Sequence, residues 1–232
     1  YAKVRDQKIR DMVERQGIDW QDFKDHLIFE RDEVTKDDGK PYTVFTPYSK
    51  KWRKRLEDEG IPSYPSENYL QYLLNFTEAM PSLESMGFQS KALTFPENTA
   101  ENQVLIDYYE RRNFPSVEGT TRLGIHLRFG TISIRQLLKQ SEDTTSFTFT
   151  SELIWRDFYA QILSHFPHVA ERAFRPAYDE IAWRNDEEDF DKWCKGETGY
   201  SLVDAGMKEL LTTGFMHNRV RMLVASFLTK HL

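Results

Sequence analysis

From Ser201 to Leu228 the chain has little choice but to form two helices. Apolar residues pair at 202/203, 206/207 and 210/211; Gly214 then interrupts, and Val220, Leu223, Val224, Phe227 and Leu228 make a second stripe. Recurrence at three and four residues is the period of a helix face, whereas a strand has a period of two. Ser201 is expected to N-cap the first helix, and Gly214 to sit just past its end. The second helix opens with Asn218, Arg219, Arg221 and Met222. Arginines, an amide and a methionine at a helix start suit an anion and an aromatic ring.

The same period runs through most of the preceding hundred residues. Asn98 and Glu101 form a capping-box pattern for a helix through Leu105 and Tyr108 to Arg112, and Ser133 with Gln136 forms another. Leu153, Ile154, Phe158, Ile162 and Phe166 give a helix over 151–166 its core side. The first forty-eight residues read differently. Val4, Ile9, Met12 and Val13 make a helical stripe that Gly17 can end, and then come two strand-like runs, His26–Phe29 and Tyr42–Phe45. Asp37–Lys40 between them is a turn signal. In residues 49–97 a charged, helix-compatible stretch (49–59) gives way to scattered prolines, Pro62, Pro65, Pro81 and Pro96. The expected architecture is mostly α: a helical domain over 98–232, preceded by a connector over 49–97 and the tail of an α/β domain over 1–48.

At 232 residues, 39% apolar and 29% charged, the chain can bury a substantial core. It has no apolar run of about 18 residues, so no membrane span is expected. One cysteine, Cys194, leaves no internal disulfide and fits a reducing compartment such as the cytoplasm. No His/Cys spacing suggests a metal. The formal charge of −6 is unevenly spread: 120–140 and 215–232 contain Arg122, Arg128, Arg135, Lys139, Arg219, Arg221 and Lys230 and no acid. Those segments are either ordinary solvated faces or the two sides of one basic groove.

Two local patterns carry chemistry. Gly119-Thr120-Thr121-Arg122-Leu123-Gly124 sets two hydroxyls and a cation between glycines, which either caps a helix or holds a phosphate. Glu152, Trp155, Arg156 and Tyr159 fall at i, i+3, i+4 and i+7 and share one helix face. That face is either a surface ion pair beside packed aromatics or an aromatic platform for a base taken out of the stack.

The wording of these segments resembles the DNA photolyase/cryptochrome flavoprotein family. Thr198-Gly199-Tyr200-Ser201-Leu202-Val203-Asp204-Ala205-Gly206-Met207 is similar to the family's T-G-Y-P-x-V-D-A-x-M, and Thr213-Gly214-Phe215-Met216-His217-Asn218-Arg219 to T-G-W-M-H-N-R. Gly39–Tyr48 resembles G-x-P-Y-x-V-F-T-P-Y, residues 118–124 resemble E-G-T-S-R-L-S, and Glu152–Tyr159 resembles E-L-I-W-R-E-F-Y. The resemblance implies FAD held by Tyr108, Thr120, Thr121, Arg122, Leu123, Gly124 and Arg221. It also implies a second, antenna chromophore of the folate or deazaflavin kind, whose identity the residues leave open.

It implies further a monomer acting on DNA that contains cyclobutane pyrimidine dimers. Glu152, Trp155, Asn218 and Met222 would meet the lesion, Arg156, Tyr159 and Arg219 would lie along the DNA, and Trp183 would be the solvent-side end of an electron-transfer chain. The His217-Asn218 pair matches the dimer-repair type, while a cryptochrome-type photoreceptor and a flavin-free helical scaffold stay open as alternatives. Phe215 and Gly124 depart from the family's tryptophan and serine. Tyr1 opens inside an amphipathic segment, and the family's acidic flavin-binding pair and inner tryptophans have no counterpart before Leu232. An internal piece, inactive and poor at holding FAD by itself, is the corresponding expectation.

Overall fold

The computed structural model describes residues 2–73, 79–89 and 94–232, so Tyr1 and parts of the 49–97 connector lie outside the described residues. Ten α-helices appear among them: α1 (Ala2–Glu14), α2 (Phe45–Glu59), α3 (Asn102–Ile106), α4 (Tyr108–Arg111), α5 (Gly124–Phe129), α6 (Ile134–Asp143), α7 (Phe147–His165), α8 (Glu187–Lys195), α9 (Ser201–Thr213) and α10 (Asn218–His231). The mostly helical expectation holds, and no described residue forms a strand.

The two strand-like runs are therefore corrected. A strand needs a neighbouring strand to take its N–H and C=O groups, and here helix side chains take them instead. Asp157 Oδ2 accepts from Phe29 N–H at 3.1 Å, and Gln161 Nε2 donates to Tyr42 C=O at 2.8 Å. Arg156 donates to His26 C=O, and Arg135 to Leu27 C=O at 3.4 Å. Ile28 and Phe29 are buried by this arrangement, and the second run turns into α2 at Phe45. The Asp37–Lys40 turn does form, closed by Lys36 N–H to Lys40 C=O at 2.9 Å.

Two apolar clusters hold the helices. The larger joins Ile28, Phe29, Tyr48 and Trp52 to Leu105, Leu137, Leu138, Leu153, Ile154 and Phe158, so residues 28–56 and α3–α7 share one interior. The smaller is Val203, Met207, Met216, Val220 and Val224, where α9 crosses α10. That crossing is close: a Cβ on Gly206 would fall 2.4 Å from Val220 Cγ1. Trp193 of α8 packs on the same cluster and donates its indole N–H to Val224 C=O at 3.2 Å.

Capping follows the expected signals in part. Ser133 accepts from Gln136 N–H at the start of α6, and Gly214 ends α9 in the left-handed region at φ 72°. Asn98 does not cap α3, which begins at Asn102; its amide reaches Thr131 C=O instead, beside the His126 Nε2 contact to Pro96 C=O at 2.7 Å. Ser201 is the first helical residue of α9 rather than its cap. The turn before it is held by Asp204, whose carboxylate accepts from Thr198 Oγ1 at 2.6 Å, Thr198 N–H at 2.8 Å and Gly199 N–H at 3.0 Å. These bonds, the Thr198 hydroxyl first, hold the Asp204 acid below its ordinary value.

Candidate functional site

The site assembles around the single turn of α4. Tyr108 is buried there, edge-on to Phe149 of α7 with centroids 5.2 Å apart. Burial, and then the charge of Glu152, push its phenol up to about 12, so it is a neutral donor at neutral pH. The Arg112 guanidinium lies 5.3 Å over the Tyr108 ring and forms an ion pair with Glu152 of α7. The next residue, Asn113, accepts with Oδ1 from Arg219 Nε at 2.9 Å and Arg219 Nη2 at 2.7 Å. Arg219 Nη1 in turn lies 3.5 Å from Met222 Sδ. Two adjacent residues thus fix one charged group on α7 and another on α10.

The 119–124 loop flanks this junction. Gly119 is required there, since a Cβ would come within 2.8 Å of the Arg111 backbone. Arg122 adopts a left-handed φ of 51°, pairs with Glu118 at 3.0 Å and places its guanidinium 4.7 Å over the Phe215 ring. The loop is thereby pinned to the turn between α9 and α10. Thr120 and Thr121 line a cleft of about 400 Å³ with Arg111 and Arg122. Neither threonine has a side-chain or backbone hydrogen-bond partner for its donors among the described residues. Glu97, Glu101 and Glu118 share that cleft. Hydroxyl and N–H donors, rather than surplus positive charge, are therefore what it offers a phosphate, and on that donor set the loop fits the diphosphate of a dinucleotide.

The other expected residues lie as follows. Trp155 stacks flat on Phe45, centroids 3.5 Å apart and planes 3° apart, and lies 5.4 Å from Tyr159, which is exposed. Arg156 is committed to His26 C=O and, at 3.0 Å, to Leu127 C=O, so it braces backbone. Asn218 and Arg221 are exposed on the first turn of α10. His217 caps that helix, its Nδ1 accepting from Arg219 N–H at 3.1 Å. Trp183 stands apart: it lines a cleft of about 440 Å³ with Phe190 and Leu228, about 15 Å of helix rise from Asn218 along α10. Arg112 and Asn113 were not singled out in the sequence. The only signal for Arg112 was its place one helical turn beyond Tyr108, and charged residues at a helix end are ordinary.

Comparison with known proteins bears on this arrangement as a whole. Residues 1–66 match the family model described as DNA photolyase, and 149–232 match that of the FAD binding domain of DNA photolyase. The deoxyribodipyrimidine photo-lyase of Halobacterium salinarum is 36% identical over the whole of this chain and 53% of its own length. A class III photolyase structure from Agrobacterium tumefaciens superposes with a TM-score of 0.72 at 30% identity, covering 99% of this chain and 52% of that one. An archaeal photolyase from Sulfolobus tokodaii, solved with two FAD molecules, gives 0.71 at 28% identity, covering 98% and 51%. The chain spans about half the length of the relatives it matches. With both family models, similarity to a curated relative over the whole of this chain and the shared fold in agreement, the chain belongs to the DNA photolyase family.

Proposed function

We propose that this chain serves a deoxyribodipyrimidine photo-lyase, a lyase that uses light and FAD to split cyclobutane pyrimidine dimers in DNA. The observation that carries the reading is the junction at α4, where Tyr108, Arg112 and Glu152 meet beside the open donors of Thr120 and Thr121. Bound in its reduced form, FAD would supply the electron that opens the cyclobutane ring. The chain's own share is positioning. Thr120, Thr121, Arg122, Leu123 and Gly124 would hold the diphosphate, with Tyr108 and Arg221 as further cofactor contacts. Glu152, oriented by Arg112, would accept hydrogen bonds from a flipped base, and Trp155 would stack on that base. Asn218 and Met222 would line the lesion pocket, and Tyr159 and Arg219 would lie along the DNA. Trp183 would be the solvent-side end of an electron-transfer chain.

In this reading residues 1–48 belong to the C-terminal part of an antenna domain, 49–97 connect, and 98–232 form the FAD- and DNA-handling domain. A second chromophore would sit with the antenna domain, and the protein would act as a monomer in the cytoplasm. No described helix is long and apolar enough to cross a membrane. The test is Trp155→Ala in the whole protein. Binding of dimer-containing DNA should weaken by about 1–3 kcal/mol, the usual worth of a base–aromatic stack. Undamaged DNA, held mainly through phosphates, should be affected far less. Equal losses on both DNAs would make Trp155 a packing residue for Phe45 and nothing more.

A further inference from the structure

Residues 112 and 113 treat their charged partners in opposite ways. Arg112 meets the Glu152 carboxylate, so that pair carries no net charge. Asn113 meets Arg219 with a neutral amide oxygen, which accepts from both Nε and Nη2. Arg219 has no ion pair among the described residues, and its remaining nitrogen, Nη1, lies toward Met222. A guanidinium bridged by one oxygen across Nε and Nη2 is fixed in plane and direction, yet an amide takes up none of its charge. The acid-free run from Phe215 to Leu232 supplies no alternative counter-ion from its own helix.

We propose that Asn113 is a positioning residue for DNA binding. It aims the Arg219 guanidinium at a DNA phosphate while leaving the full positive charge for that phosphate. The inference rests on the reading of Arg219 as a DNA contact. Its consequence is that chemistry at position 113, not merely occupancy, sets the electrostatic part of the affinity. A carboxylate there would keep the geometry and cancel the charge; a methyl would keep the charge and release the geometry.

The discriminating measurement is the salt dependence of binding to a dimer-containing duplex, using the whole protein. Each phosphate neutralised contributes about 0.9 to the slope of log affinity against log salt. Arg219→Ala should lower that slope by about 0.9. Asn113→Asp should lower it by nearly as much and weaken binding roughly 3- to 10-fold at about 0.1 M salt. Asn113→Ala should weaken binding severalfold with the slope unchanged, because the cation persists in a looser pose. In the Asn113→Asp/Arg219→Ala double variant the slope should fall no further than with Arg219→Ala. If Arg219→Ala leaves the slope unaltered, Arg219 does not contact a phosphate and both readings fail. If it lowers the slope while Asn113→Asp does not, only the role of Asn113 is overturned. Identical slopes and affinities for Asn113→Asp and Asn113→Ala would also overturn it.

Discussion

Helix α7 carries two carboxylates five residues apart in opposite settings. Asp157 is fully buried, accepts from Phe29 N–H at 3.1 Å and Trp52 Nε1–H at 3.0 Å, and makes no ion pair among the described residues. Burial pushes its acid up to about 6, against the pull of those two donors and of Arg156. Glu152 is only partly buried and pairs with Arg112 at the candidate site. One carboxylate satisfies backbone and indole donors and carries structure. The other meets a cation near solvent and, in the proposed function, would meet the ligand. A single helix thus separates holding the fold from serving the site, by which side of it each acid faces.

The largest effect should come from Asp157→Ala, which strands two buried donors and leaves a void. A loss of about 3–5 kcal/mol in urea unfolding is expected. A loss below about 1 kcal/mol would mean the N-terminal segment is not held through Asp157 at all.

The pH dependence sharpens the same contrast. A folded-state acid near 6, against 3.8 when unfolded, binds protons more tightly in the native protein. Its contribution to stability is therefore full below about pH 4 and is lost as pH rises through about 6. That displacement corresponds to roughly 3 kcal/mol. Asp157→Asn should flatten the stability profile between pH 4 and 6.5; an unchanged slope would place the titration on another group.

The smallest change is expected at the other acid. Glu152→Gln should alter stability by no more than about 0.5 kcal/mol, because a partly exposed ion pair is worth little. Binding of dimer-containing DNA should nevertheless weaken measurably in a gel-shift or fluorescence titration. A stability loss matching that of Asp157→Ala would abolish the distinction between the two carboxylates.

Helical periodicity made α7, α9 and α10 legible, since each apolar stripe had only one way to be buried, and the Ser133 capping box marked the start of α6. The failures have particular causes. His26–Phe29 and Tyr42–Phe45 have strand composition, but strand formation depends on a partner, and the partners here are Asp157, Gln161, Arg156 and Arg135, more than a hundred residues away. Asn98 and Glu101 have cap spacing, but Asn98 spends its amide on Thr131. Thr198–Asp204 reads as a family word, and the structure shows a local reason for its spelling: the threonine and aspartate close the turn. In the site, Tyr108, Glu152 and the 120–124 loop were legible as residues. Their junction was not, because Arg112 and Asn113 look like any polar helix end.

The side-chain support of residues 24–42 also bears on how the protein is made. Tyr42 C=O waits for Gln161, 119 residues later, and Phe29 N–H for Asp157, 128 residues later. At a synthesis rate of about 5–20 residues per second, the stretch exists for roughly 6–24 s before the helix that holds it has been translated. Ile28 and Phe29 spend that interval without their final cover. Limited proteolysis of nascent chains stalled before and after α7 should show residues 24–42 becoming protected only in the second case.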